Sequence, residues 1–183
     1  MTPRPTRGQR RAAAVVLGAA MLAACAAPDV SHYLGERPSL DLQRYFAVRT
    51  HAWGMFQARN GEIQKRFTVS IDSHGSGDQL VLDEHFVYSD GKTQDRRWTL
   101  RRAADGVWHG TAPDVVGEAL GRIAGNALNW RYTLRQPVGE TTYDLDFDDW
   151  MVLIDDSTLI NRARVSKFGV EVGQVTLFFR NRE

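Results

Sequence analysis

From Thr50 onward the chain alternates between apolar and polar side chains in short runs, and each run ends on a turn signal. Thr50–Ala58 sets Ala52, Gly54 and Phe56 against Trp53 and Met55, and Asn60-Gly61 follows as a hairpin turn. The next run sets Ile63, Phe67, Val69 and Ile71 against Gln64, Arg66, Thr68 and Ser70. After a turn at 74–78, Leu80, Leu82, Glu84, Phe86 and Tyr88 share one face, opposite Val81, Asp83, His85 and Val87. Asp95–Arg102 places Trp98 and Leu100 opposite Arg97, Thr99 and Arg101, and Val107–Thr111 is a short strand. Leu128, Trp130, Tyr132 and Leu134 resume the rhythm, and Thr141–Ile154 continues it with Tyr143, Leu145 and Phe147 opposite Asp144, Asp146 and Asp148. Thr158–Lys167 and Val170–Arg180, joined near Gly169, close the series.

Period-two runs separated by short turns predict an antiparallel sheet with one buried face. Successive hairpins make it an up-and-down meander, and closing the meander removes its exposed edges. The expectation is therefore an all-β, lipocalin-like barrel of about eight to nine strands, wide enough to hold one small ligand. Residues 114–126 break the pattern. Asp114 could cap a short helix there, but glycines at 117, 121 and 125 weaken a helix, so this segment is expected to be a short helix or a lid-like loop. Leu40, Leu42, Tyr45 and Phe46 suggest a short helical turn leading into the barrel. The outward faces carry Arg and Asp rather than the apolar band of a membrane-spanning barrel.

The N-terminus is of another kind. Met1–Arg11 is basic, and residues 12–24 are an apolar run too short to span a bilayer, as in a signal peptide. The run ends Leu22-Ala23-Ala24-Cys25, which resembles a bacterial lipobox. That resemblance implies cleavage before Cys25, the sole cysteine, and acylation of its thiol. The chain then divides into a signal peptide (1–24), an acylated N-terminus and tether (25–40) and the barrel (41–183). Ala26 after the cysteine favours the inner leaflet of the outer membrane, facing the periplasm.

Charge alters the picture only through the leader. Setting aside its four arginines leaves 19 Lys and Arg against 22 Asp and Glu, a charge of −3 on the remainder. A mildly acidic domain offers nucleic acid no attraction. A single cysteine rules out an intrachain disulfide. The five histidines (His32, His51, His74, His85, His109) show no zinc-ligand spacing, and no cofactor fingerprint is present.

The candidate chemistry lies on the barrel's inward positions. Glu84 sits on an apolar face and needs a partner, for which Arg162 is the choice. Strand parity sends Asp149 toward the apolar face, whereas Asp144, Asp146 and Asp148 belong to a solvated outer face paired with basic residues. Glu84, Trp98, Trp130, Tyr132, Asp149, Asn161, Arg162 and Lys167 are together the candidate ligand-binding set, and none is assigned a catalytic role.

Several segments resemble one family in order: FDDWM (147–151), LINRA (159–163), SKFG (166–169) and VGxVTLF (172–178), with DExFVY (83–88), DGxTQ (90–94), RxWxL (96–100) and GNALNWRY (125–132) before them. They are similar to the bacterial lipoprotein domain-of-unknown-function family 3833, from about Asp41 to the C-terminus. The resemblance implies a lipidated, periplasm-facing domain with a calycin-like barrel, and it carries no catalytic residues. The functions to weigh are a carrier for a small hydrophobic or lipid-like molecule, then a non-catalytic scaffold lipoprotein, then an enzyme on a lipid-like substrate using Glu84, Asp149 and Arg162.

Overall fold

A computed structural model describes residues 28–181 and realises the alternation as one closed sheet. The leader and Cys25 lie outside the described residues. The strands are β1 (Thr50–Ala58), β2 (Ile63–His74), β3 (Gln79–Tyr88), β4 (Thr93–Arg102), β5 (Trp108–Thr111), β6 (Val115–Ala124), β7 (Ala127–Val138), β8 (Thr141–Leu153), β9 (Thr158–Lys167) and β10 (Val170–Asn181). Each pairs antiparallel with its chain neighbours, and β1 pairs with β10 from Thr50↔Asn181 to Ala58↔Gly173. The result is an up-and-down, lipocalin-like barrel with no free edge. On its outer wall Trp53 and Phe178, partners across the closing seam, lie 6.0 Å apart.

The barrel has ten strands, one more than the upper expectation, and the extra one is β6. The segment expected to be a helix or loop is a strand because its glycines do three separate jobs. Gly117 takes φ +72° where the β6–β7 register shifts between Val116 and Leu120. Gly121 yields to the Trp130 indole, since a Cβ there would lie 2.0 Å from the ring. Gly125 takes φ +54° in the turn to β7. Between them Ala119 is fully buried and Leu120, Glu118 and Arg122 face out, which is ordinary strand alternation.

The helical turn before the barrel is present as α1 (Leu42–Tyr45), and Asp41 caps it by accepting from the Arg44 backbone N–H at 2.9 Å. Leu40, Leu42, Tyr45 and Phe46 are all buried, and together they plug one end of the barrel. The plug is tied down by polar contacts. Ser73 donates to the Phe46 carbonyl, the Asn181 amide donates to the Tyr45 carbonyl, and the Tyr45 hydroxyl donates to the Ser157 carbonyl. Ahead of it a 3-10 turn (Val30–Tyr33) packs outside the wall, where Tyr33 meets Trp150 at 5.8 Å. The Leu40 N–H donates to the Gly125 carbonyl, so residues 29–40 are held at the plugged end.

Candidate functional site

Inward side chains leave a cavity of about 640 Å³. Its floor is Leu42 and Phe46 at the plugged end, and its opposite mouth is rimmed by Lys65, Gln136, Val138, Tyr143, Lys167 and Val172. Aromatic rings make up much of the wall. Trp98 meets Trp130 and Tyr132 edge-on at 5.8 and 5.4 Å, and Tyr132 stacks on Phe147 at 5.0 Å. Phe67, Phe86 and Tyr88 form a second group, with ring centroids 5.7 to 6.2 Å apart. Trp130 reaches the interior because Gly110 and Gly121, on the two strands before its own, have no Cβ to meet its ring.

Set into this apolar wall is a polar cluster. β3 supplies Glu84, β4 supplies Arg96, β7 Tyr132, β8 Asp149 and β9 Asn161. Every one occupies an inward position because its neighbours two residues away do. Asp149 is 5% exposed and Asn161 is completely buried. Burial pushes the Asp149 carboxyl from an ordinary 3.8 up to about 7, against the opposing pull of the Tyr132 hydroxyl and the Asn161 amide. The hydroxyl donates to Asp149 Oδ2 at 3.3 Å. The Asn161 amide lies near enough to favour the charged carboxylate but forms no well-shaped hydrogen bond with it. Both amide atoms of Asn161 and Asp149 Oδ1 lack a hydrogen-bond partner among the described residues.

Burial likewise lifts Glu84 to about 7, with Arg96 opposing and Asp114 adding to the rise. The residual exposure of Glu84 is to the cavity it lines. Its only ion-pair partner among the described residues is Arg96, 3.8 Å away and beyond hydrogen-bond range, and Oε2 is unpartnered. Arg96 instead gives Nε and Nη2 to Asp114 Oδ2, at 3.0 and 2.8 Å, and lies over the Phe86 ring at 5.2 Å.

Of the sequence-derived set, seven residues line the cavity: Glu84, Trp98, Trp130, Tyr132, Asp149, Asn161 and Lys167. Lys167 stands at the mouth, 3.5 Å from the centre of the Tyr143 ring. Arg162 does not belong with them. It lies on the outer wall, where its Nε donates to Gln174 Oε1 at 2.8 Å, because it alternates with the inward Asn161 and Ala163. The partner assigned to Glu84 is therefore corrected from Arg162 to Arg96, which is opposite Glu84 in the β3–β4 register. The signal for Arg96 was present, since it is two residues from the inward Trp98. Of the outer aspartates, Asp144 pairs with Arg135 and Asp148 with Arg131 and Arg164, as expected, whereas Asp146 accepts from the Thr133 hydroxyl at 2.8 Å.

With the geometry in place, comparisons with known proteins add fold and family. No curated protein matches the sequence. Among solved structures, an S-type phycobiliprotein lyase from Guillardia theta is similar, with a TM-score of 0.57 and 6% sequence identity over 85% of this chain and 98% of that one. At that identity the likeness is one of fold. The family model described as "Protein of unknown function (DUF3833)" matches residues 19–181, and the chain belongs to that family.

Proposed function

We propose that the protein is a lipid-anchored binding protein that holds a small amphipathic, lipid-like molecule inside its barrel and faces the periplasm. The observation that carries this reading is the cavity, whose roughly 640 Å³ lies within the range of small-molecule sites. Apolar and aromatic walls suit a hydrophobic body, and the buried polar cluster supplies the few groups that fix orientation. An interior kept open at this cost in packing argues against a scaffold with a filled core.

Anchoring rests on the lipobox-like run ending at Cys25, and the family match from residue 19 includes that run. Orientation follows from chain length. The four residue steps from Cys25 to Asp29 reach at most about 14 Å, and Asp29 caps the 3-10 turn at the plugged end. A lipid on Cys25 holds the plugged end toward the outer membrane and turns the mouth away from it.

A second reading has one observation in its favour. Two carboxyls titrating near 7 inside an apolar pocket are suited to general acid–base work. Among the described residues the cavity lining has no Ser, Thr, Cys or His to act with them, and binding ranks first. Native mass spectrometry of the full chain isolated from membranes tests the binding reading. The expected result is a co-purifying molecule of defined mass, with Cys25→Ser protein moving to the soluble fraction. Protein that carries no added mass, and takes up no amphiphile offered to it, contradicts binding; a Cys25→Ser protein that stays with the membrane contradicts the anchor.

A further inference from the structure

The polar cluster inside the barrel is unbalanced in charge. Three carboxyl groups (Glu84, Asp114, Asp149) stand near one guanidinium, Arg96. Asp114 engages that guanidinium through two hydrogen bonds and does not line the cavity. Glu84 and Asp149, which do line it, are left without a hydrogen-bonded cation. Beside them Asn161, with no exposed surface, presents both amide atoms without a partner. Groups in this state cost stability unless something completes them.

The remaining charged groups on the lining are Lys65 and Lys167. Both are at the mouth, over the Tyr88 and Tyr143 rings at 5.5 and 3.5 Å. An anionic amphiphile sets its carboxylate at these lysines, with its tail inside, because the deeper cation, Arg96, is already engaged by Asp114. That pose lays hydrocarbon against Asp149, Asn161 and Glu84 and completes none of them. A head bearing N–H donors and positive charge does the opposite. It brings donors and a positive charge to the two carboxyl groups that line the cavity, Asp149 and Glu84.

We propose that the cavity takes an apolar molecule whose head is a protonated nitrogen, seated between Asp149, Asn161 and Glu84, with its body running toward the mouth. The inference rests on the reading of the barrel as a binding protein and names the chemistry of its ligand. The six residue steps of β8 from Asp149 to Tyr143 span roughly 20 Å along the strand, and less along a tilted barrel axis, which suits a medium-length chain.

Binding is coupled to protons. Glu84 and Asp149 titrate near 7 in the free protein, and Tyr88 and Tyr132, whose pKa values are raised by burial, stay neutral beside them. Asp148, next in sequence but outward, and Arg96 act on Asp149 in opposite directions. A cationic head selects the ionised carboxyls, so affinity rises with pH up to about 7, by as much as about tenfold per pH unit for each proton expelled, and then levels off.

Calorimetric titration of the full chain with dodecylamine, dodecanol and dodecanoate at pH 7.5 separates the possibilities. The expected order is amine, alcohol, acid, with the amine at least about tenfold tighter than the alcohol. Proton release is expected on amine binding in buffers of different ionisation enthalpy. Asp149→Asn is expected to weaken the amine by about tenfold or more and to leave the alcohol within about twofold, which also shows that the variant is folded. Equal affinities, or an acid that binds as tightly as the amine, overturn the cationic head while leaving a binding barrel. Failure of all three to bind overturns both.

Discussion

At Asp149 the strand carries a carboxyl where its inward neighbours, Phe147 and Met151, are apolar. The consequence for stability follows from proton counting. The folded pKa, about 7, is above the ordinary 3.8, so the folded state holds its proton longer than the unfolded chain. The contribution is fully present below about pH 4, falls as pH rises and is gone above about 7. Glu84 acts in the same direction. Asp149→Asn, which keeps an acceptor for the Tyr132 hydroxyl, removes one of these slopes. It is expected to raise the thermal midpoint of the ligand-free protein at pH 8 by several degrees and to change it little at pH 4. Equal effects at the two pH values would show that Asp149 is not held protonated by the fold. The parity of β8 made Asp149 legible from sequence, and the parity of β4 held Arg96 as well. The adjacent Arg97 masks Arg96, although strand geometry allows only one of the two to point out.

The elements show where alternation is sufficient and where it is not. β1 and β9 have the bounds their patterns predict, because each alternates inward and outward residues and runs into a sharp turn at its end. β6 is hidden because two of its inward positions, Ala119 and Gly121, are too small to mark an apolar face. Gly121 makes room for Trp130, its partner across the β6–β7 hairpin, a relation between strands that alternation along one strand does not show. Gly121→Ala tests this directly. Gly121 has no positive φ to defend, so the substitution acts only through the Cβ at 2.0 Å from the indole. The expected loss is about 1–3 kcal/mol in denaturant unfolding, with the near-ultraviolet signal of Trp130 altered. A neutral effect would mean that the indole has room to shift and that the glycine is not what admits it.

For the whole molecule, the decisive features are a plug, a cavity and a mouth on a single axis. The fold class and most of the wall were legible because closure of a hairpin meander follows from patterning alone. The open interior was not, since apolar inward faces describe a filled barrel and a hollow one equally well; only the positions of the Trp130, Trp98 and Phe147 rings in space distinguish them. Ala163, 2% exposed and adjacent to Asp149 in the β8–β9 register, faces that space. Replacing it with phenylalanine adds bulk where a ligand's head and upper body would lie. The measurement that bears most directly on the binding barrel is therefore dodecanol affinity in Ala163→Phe against the wild-type chain, with thermal unfolding followed in parallel. The predicted result is at least about a tenfold loss of affinity with the folded state as stable as before or more so. Undiminished binding in a folded Ala163→Phe protein would contradict the account, because the ligand would then lie somewhere other than the barrel interior.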